Sequence, residues 1–154
     1  MKPAVLCWCR RLSALSLSLC VWPVLALQSS PPGAATPFVC GGIGQSEQLQ
    51  LKALRPAYSL WVSTVSQAGG AFLSDVRLRV SAEGEAAPRV DLRMDGPWCL
   101  LSLPPGRYRV EASLNGQSAP TQTLAVPAEG LVEALLRLPV PAELSPERAA
   151  SGAR

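Results

Sequence analysis

The chain contains no histidine. Histidine is the commonest general base and metal ligand near neutral pH, so histidine-dependent catalytic triads and histidine-bearing zinc sites are excluded. The charges are also balanced. Three of the 14 basic residues lie in the first eleven positions, which leaves 11 basic against 11 acidic residues. No basic stripe with interleaved aromatic residues is present to follow a phosphate backbone. We therefore expect a protein that is not an enzyme, uses no cofactor and binds no nucleic acid, with carboxylate- or lysine-based chemistry left open as the alternative.

The first 26 residues have the three parts of a secretory signal peptide. Three basic residues precede an almost wholly apolar stretch, residues 12–25, and Val24 and Ala26 supply the small residues before a cleavage site. We predict cleavage after Ala26 and a periplasmic or secreted protein. An uncleaved membrane anchor is the alternative, although the apolar stretch is shorter than the about 20 residues of a spanning helix. A lipoprotein would need a small residue just before Cys20, where Leu19 stands.

Composition divides the rest of the chain into a leader, a domain and a tail. Residues 27–40 are rich in proline, serine and alanine, which predicts a flexible leader. Residues 41–138 carry the periodic patterns of one domain, and residues 139–154 are expected to be a disordered tail. The domain opens with a short helix, with Ser46 as its N-cap and Arg55 in its last turn before Pro56. We expect this helix to cover an open end or edge of a sheet.

From Tyr58 onward, apolar residues recur with the period of two that is typical of half-buried strands. About seven such strands follow one another, and turns rich in glycine and proline separate them. The segments Ala87–Asp95 and Gln117–Val126 are candidate edge strands for contact with a partner. The pattern predicts a mainly β protein: an antiparallel, Ig-like β-sandwich with one short N-terminal helix.

One motif stands out in the second half of the chain. It runs from the Asp95-Gly96 turn through an apolar strand to Leu103-Pro104-Pro105-Gly106, and then Tyr108 begins an alternating strand. This run, MDGPWCLLSLPPGRYRVEASLNGQ, is similar to the core of bacterial carboxypeptidase regulatory-like domains, which belong to the prealbumin-like (transthyretin-like) sandwiches. The resemblance covers roughly Cys40 to Leu138 and implies a small exported bacterial protein.

The motif itself is structural. Proline and glycine set a tight turn between two strands, and Tyr108 is suited to bury its ring while its hydroxyl binds a loop. In peptidases that bear such a domain, the catalytic zinc lies in a separate domain. Enzymes of the transthyretin-like fold that hydrolyse hydroxyisourate depend on histidines and a C-terminal Tyr-Arg-Gly-Ser, whereas this chain ends in Ser-Gly-Ala-Arg. The resemblance therefore implies a fold and no activity.

Cys40 and Cys99 are the two cysteines outside the signal-like segment. In an oxidising compartment such a pair suggests a disulfide, which in the chain-entropy model would stabilise the fold by roughly 4 kcal/mol. The alternative is a buried Cys99 beside a free Cys40, and the sequence leaves both open.

Two sets of side chains suggest ligands. Trp61 and Trp98 would suit a sugar-stacking platform, although packing in the core or at an edge is the simpler role. Asp75, Asp91 and Asp95 carry the carboxylates that calcium prefers, but they lie outside any loop of the usual calcium-binding pattern. We expect an interaction or structural module of a Gram-negative cell envelope, with a carbohydrate- or cell-wall-binding module as the alternative. The sequence does not identify the partner or the oligomeric state.

Overall fold

The computed structural model describes residues 27–30 and 36–140. The predicted signal peptide, with its cleavage site at Ala26, lies outside these residues, as does the chain after Val140. The described part is mainly β, with ten strands, one α-helix and one 3-10 turn at Arg55–Ala57. The elements in chain order are β1 (Gln28–Ser29), β2 (Phe38–Gly41), α1 (Gln45–Leu54), β3 (Leu60–Ser66), β4 (Arg77–Ala82), β5 (Val90–Arg93), β6 (Trp98–Leu101), β7 (Gly106–Leu114), β8 (Gln117–Ser118), β9 (Gln122–Val126) and β10 (Val132–Leu138).

The strands form two sheets. Sheet A has the order β1-β2-β6-β3-β10, and sheet B has the order β5-β4-β7, with β8 and β9 both paired to the far side of β7. Most pairs are antiparallel, but β10 runs parallel to β3 over the full seven residues. The expectation of a purely antiparallel sandwich is therefore wrong at this edge. Period-two patterning does not encode strand direction, because the side chains alternate in the same way in both cases.

The sheets pack face to face over one apolar core. Alternate residues of β4 and β7 point inward, and they meet the inner residues of β3, β6 and β10. The fully buried members of this core are Leu60, Val62, Val76, Leu78, Val80, Met94, Leu101, Val110, Leu136 and Leu138, together with both cysteines. This inward-outward alternation is the pattern that the sequence shows from Tyr58 onward.

The ends of the domain differ from the prediction. Residues 27–40 were expected to be a flexible leader, but Gln28–Ser29 and Phe38–Gly41 pair as β1 and β2, and β2 also pairs with β6. At the other end Val140, predicted as tail, is buried in the core at 2% exposure. The strands beyond the about seven predicted are β1, β2 and β8, of which β1 and β8 have two residues each, too few to show a period of their own.

Helix α1 begins two residues earlier than predicted. Its N-cap is Gly44, not Ser46, and no side chain caps it. Instead, the Glu47 carboxylate accepts hydrogen bonds from the backbone N–H groups of Gly42 and Ile43, at 3.0 and 3.2 Å. The acidic group thus stabilises the entry loop at the positive end of the helix.

Candidate interaction edges

The two cysteines of the described residues lie directly opposite each other on β2 and β6, and they form a disulfide. Both are fully buried on the inner side of sheet A. The bond ties the N-terminal hairpin to the central strand of this sheet, across a sequence separation of 59 residues. Its role is therefore structural.

The Leu-Pro-Pro-Gly motif is the tight connection between β6 and β7, so it joins sheet A to sheet B. The ring of Tyr108 is buried, and its hydroxyl donates a 2.9 Å hydrogen bond to the carbonyl oxygen of Pro104. Leu103 is also buried, and its backbone N–H donates to the Ser59 hydroxyl at 2.8 Å. Residues of this motif thus fix the crossing between the sheets.

The Asp95-Gly96-Pro97 turn is packed against β2. A side chain at Gly96 would begin only 2.2 Å from the carbonyl oxygen of Gly41, so no other residue fits there without a shift of the backbone. Gly42 lies against the ring of Trp98 and has φ of +99°, a conformation that favours glycine. These close approaches explain the glycines that directly follow Cys40 and the glycine of the Asp95-Gly96-Pro97 turn.

Both tryptophans lie on the outer face of sheet A, where helix α1 covers them. Trp61 is 6% exposed and Trp98 is 8% exposed, and they form a second apolar cluster with Leu51 and Leu100. Cations from the helix and its end occupy their ring faces. Lys52 Nζ lies 5.5 Å from the centroid of the Trp98 ring, and the guanidinium of Arg55 lies 4.9 Å from that of Trp61. A sugar-stacking platform needs a ring face open to solvent, and these two rings are packed instead.

The outer face of sheet B is polar and carries an array of ion pairs. The carboxylate of Asp91 accepts two hydrogen bonds from Arg77, at 2.8 and 2.9 Å, and lies 3.4 Å from Arg79. The hydrogen bond from Arg77 lowers the pKa of Asp91, although partial burial opposes the shift. Arg93 pairs with Asp75 at 3.0 Å. Two of the three aspartates considered as a calcium set are thus occupied by arginines.

Two further ion pairs lie on the same face. Arg107 pairs with Glu83 at 2.8 Å, and Arg89 Nε donates to Glu85 at 3.0 Å. The hydrogen bond from Arg89 lowers the pKa of Glu85. Two open grooves, of about 360 and 300 Å³, also lie on this sheet and share Arg77 and Ser113 in their linings. The larger groove is lined by the Arg77–Asp91 and Arg93–Asp75 pairs together with uncharged residues, and the smaller one mostly by uncharged residues.

The two candidate contact segments are both edge strands of sheet B. The first contains β5, at one edge, and the second contains β8 and β9, at the other. An edge strand presents the backbone groups that a further strand would pair with. The structure adds two residues that the sequence did not mark, Gln28 and Gln122, whose amides reach from one sheet to the other. No sequence signal distinguishes a glutamine at such a seam from any other surface glutamine.

In comparisons with known proteins, no family model and no curated protein matches this chain. Among the described residues, no helix has both the length and the apolar character needed to cross a membrane.

Proposed function

We propose that this chain is an exported, non-enzymatic β-sandwich that acts as an interaction module in the envelope of a Gram-negative bacterium. The observation that carries the interaction part is the edge of sheet B at β9, which pairs with β7 on one side only among the described residues. Strand addition at such an edge is a common way of binding an extended segment of another protein.

The disulfide supports export. Disulfides persist in the periplasm and outside the cell, and are rare in the reducing cytosol. Cys40 and Cys99 are joined in the core of the described domain, and the signal-like segment precedes that domain in the chain. The similarity of the Met94–Gln117 run to carboxypeptidase regulatory-like, transthyretin-like domains is consistent with such a module, and we propose this family relationship on that similarity.

Crosslinking in the living cell tests the proposal. A C-terminally tagged full-length chain is expressed in a Gram-negative host that carries the source organism's envelope proteins, crosslinked, and purified from the periplasmic fraction. We expect a mature N-terminus at Leu27 and one envelope protein that is crosslinked reproducibly. An unprocessed chain in the cytosol would overturn export. A processed chain that is never crosslinked would overturn the interaction role.

The control uses the tryptophans. If the chain were a glycan binder instead, added cell-wall sugar would quench tryptophan emission. With Trp61 and Trp98 packed under α1, we expect emission of the folded chain to be unchanged by sugar.

A further inference from the structure

The sandwich has two open sides where an edge of sheet A lies beside an edge of sheet B, and the two are closed differently. On the side of β1 and β5, the Gln28 amide donates to the carbonyl oxygen of Arg93 at 2.9 Å and accepts from the N–H of Asp95 at 3.3 Å. It occupies the outward carbonyl of Arg93 at the end of β5, one of the groups that a strand added to β5 would use. Charged side chains, Asp91 and Arg93, also stand on this edge, and charge is a common protection against strand addition.

The edge at β9 lacks this protection. Its register with β7 pairs Gln122, Leu124 and Val126 with Val110, Tyr108 and Gly106. The backbone N–H and C=O groups of the even-numbered residues of β7 point toward β8 and β9, since the carbonyl of Ala112 accepts from the N–H of Ala119. Those of the odd-numbered residues point toward β4, since the carbonyl of Arg107 accepts from the N–H of Glu83. The backbone groups of Thr123 and Ala125 therefore point away from the sheet.

The side chains of this edge are small and uncharged. Thr123 and Ala125 are exposed on the outer face. Pro120 and Pro127 flank the strand and limit the free edge to these few residues, since proline cannot donate to a ladder. The Gln122 amide reaches β10, where it donates to the carbonyl of Leu135 at 2.8 Å. Within residues 27–30 and 36–140, no side chain forms a hydrogen bond with the outward backbone groups of Thr123 and Ala125.

Two charged residues of β7 lie beside this edge on the same face: Arg109, and Glu111, which stands opposite Arg79 of β4. Six arginines project from the outer face of sheet B, and in the described part of the chain five of them form ion pairs; the sixth is Arg109. Arg109 lies between Ser81 on β4 and Thr123 on β9. A strand added to β9 would place one residue opposite Thr123, roughly 10 Å from the Arg109 backbone at two strand spacings. Extended arginine and glutamate side chains together span that distance.

A second copy of this chain does not supply that partner. Pairing β9 with itself keeps outer-face residues opposite one another, so Thr123 would meet another Thr121, Thr123 or Ala125. None of these is acidic. We therefore infer that the β9 edge binds an extended segment of a different protein, with a carboxylate opposite Thr123 that pairs with Arg109. This inference rests on the proposed function and specifies its binding edge.

Selection from a phage-displayed library of short random peptides on the purified mature chain tests the inference. We expect enriched peptides to alternate in polarity and to carry Asp or Glu on one face. Thr123→Pro removes an N–H that forms no hydrogen bond with β7. We expect it to lower the affinity of the best synthetic peptide by about tenfold or more, because at least one backbone hydrogen bond to the peptide is lost. Ala125→Pro is the second edge variant, and thermal unfolding verifies that each variant is folded.

Charge reversal tests the acidic partner. Arg109→Glu should lower the affinity of an acidic peptide by about fivefold or more and favour the same peptide with Lys in place of Glu. The matched control is Arg137→Glu, an exposed arginine on β10 that should change neither affinity. The inference is overturned by peptides that ignore Thr123→Pro, by peptides without acidic preference, by a selection that enriches nothing, or by a dimer that Thr123→Pro dissociates.

The two proposals fail separately. Envelope crosslinks that map to β5 or to α1, combined with peptides insensitive to Thr123→Pro, would leave the interaction module standing and overturn only this edge. If no partner is crosslinked in the cell but selected peptides do bind β9, the edge would stand as a binding site and the proposed envelope interaction would be overturned.

Discussion

Sheet A hides its outer face beneath helix α1, whereas sheet B leaves its outer face to solvent. The covered face presents Trp61, Trp98 and Leu100, and the bare face presents arginines paired with carboxylates. The difference follows from the strands themselves. β6 is apolar on both faces, so burying only one of them would leave two large side chains in water, while β4 alternates strictly. A strand without alternation predicts a cover on its second face.

Removing the disulfide should have the largest effect on stability, and it acts on sheet A alone because both cysteines lie in that sheet. For Cys40→Ala combined with Cys99→Ala, we expect the free energy of unfolding to fall by about 4 kcal/mol, the chain-entropy value for a loop of this length. Urea unfolding measures it, and the wild-type chain under reductant should match the double variant. A loss below about 1 kcal/mol would mean that the ladder between β2 and β6 is sufficient alone.

A substitution in α1 tests how much the packing of this helix on sheet A contributes to stability. Leu51 is fully buried between α1 and the two tryptophans, so Leu51→Ala should cost about 3 kcal/mol and shift tryptophan emission to the red. The control is Leu49→Ala on the exposed side of the same helix, for which we expect a change within about 0.5 kcal/mol. Equal effects of the two variants would show that α1 does not hold the outer face of sheet A.

The sequence predicted a mainly β protein with one short helix, which the structure confirms. Those elements carry strong local signals, such as the alternation from Val76 to Ser81 and the Asn115-Gly116 turn, where both residues have positive φ. It did not predict the strands within residues 27–40. Proline and serine there indicate a loop, and only pairing with the apolar β6 makes Phe38–Gly41 a strand.

The candidate site was predictable only in part. Edge position followed from chain order and from turns, which are local. The closure of one edge by Gln28 depends on a contact between residues 65 positions apart, and the lone Arg109 is defined only by where the other arginines find partners. Such features arise from register and packing, so alternation alone does not reveal them.

The smallest expected effect concerns the bare face and its dependence on pH. Arg77 lowers the pKa of Asp91 in the folded chain, so the stability that this carboxylate contributes is present above the ordinary carboxyl pKa and is lost as the pH falls through the lowered value. We expect Asp91→Asn to lower the Tm slightly at neutral pH, and the difference from wild type to disappear in acid. High salt should also reduce it, because the pair is near the surface.

The control for this titration is Asp95→Asn. That carboxylate forms no ion pair with any described residue, so the substitution should change the Tm less than Asp91→Asn at neutral pH. Thermal unfolding of the three chains across the acid range makes the comparison. A Tm difference for Asp91→Asn that stays constant from neutral to acid would show that the side chain acts through packing. The ion pairs of Asp91 with Arg77 and Arg79 would then not stabilise the fold, unlike the buried contacts beneath α1 on sheet A.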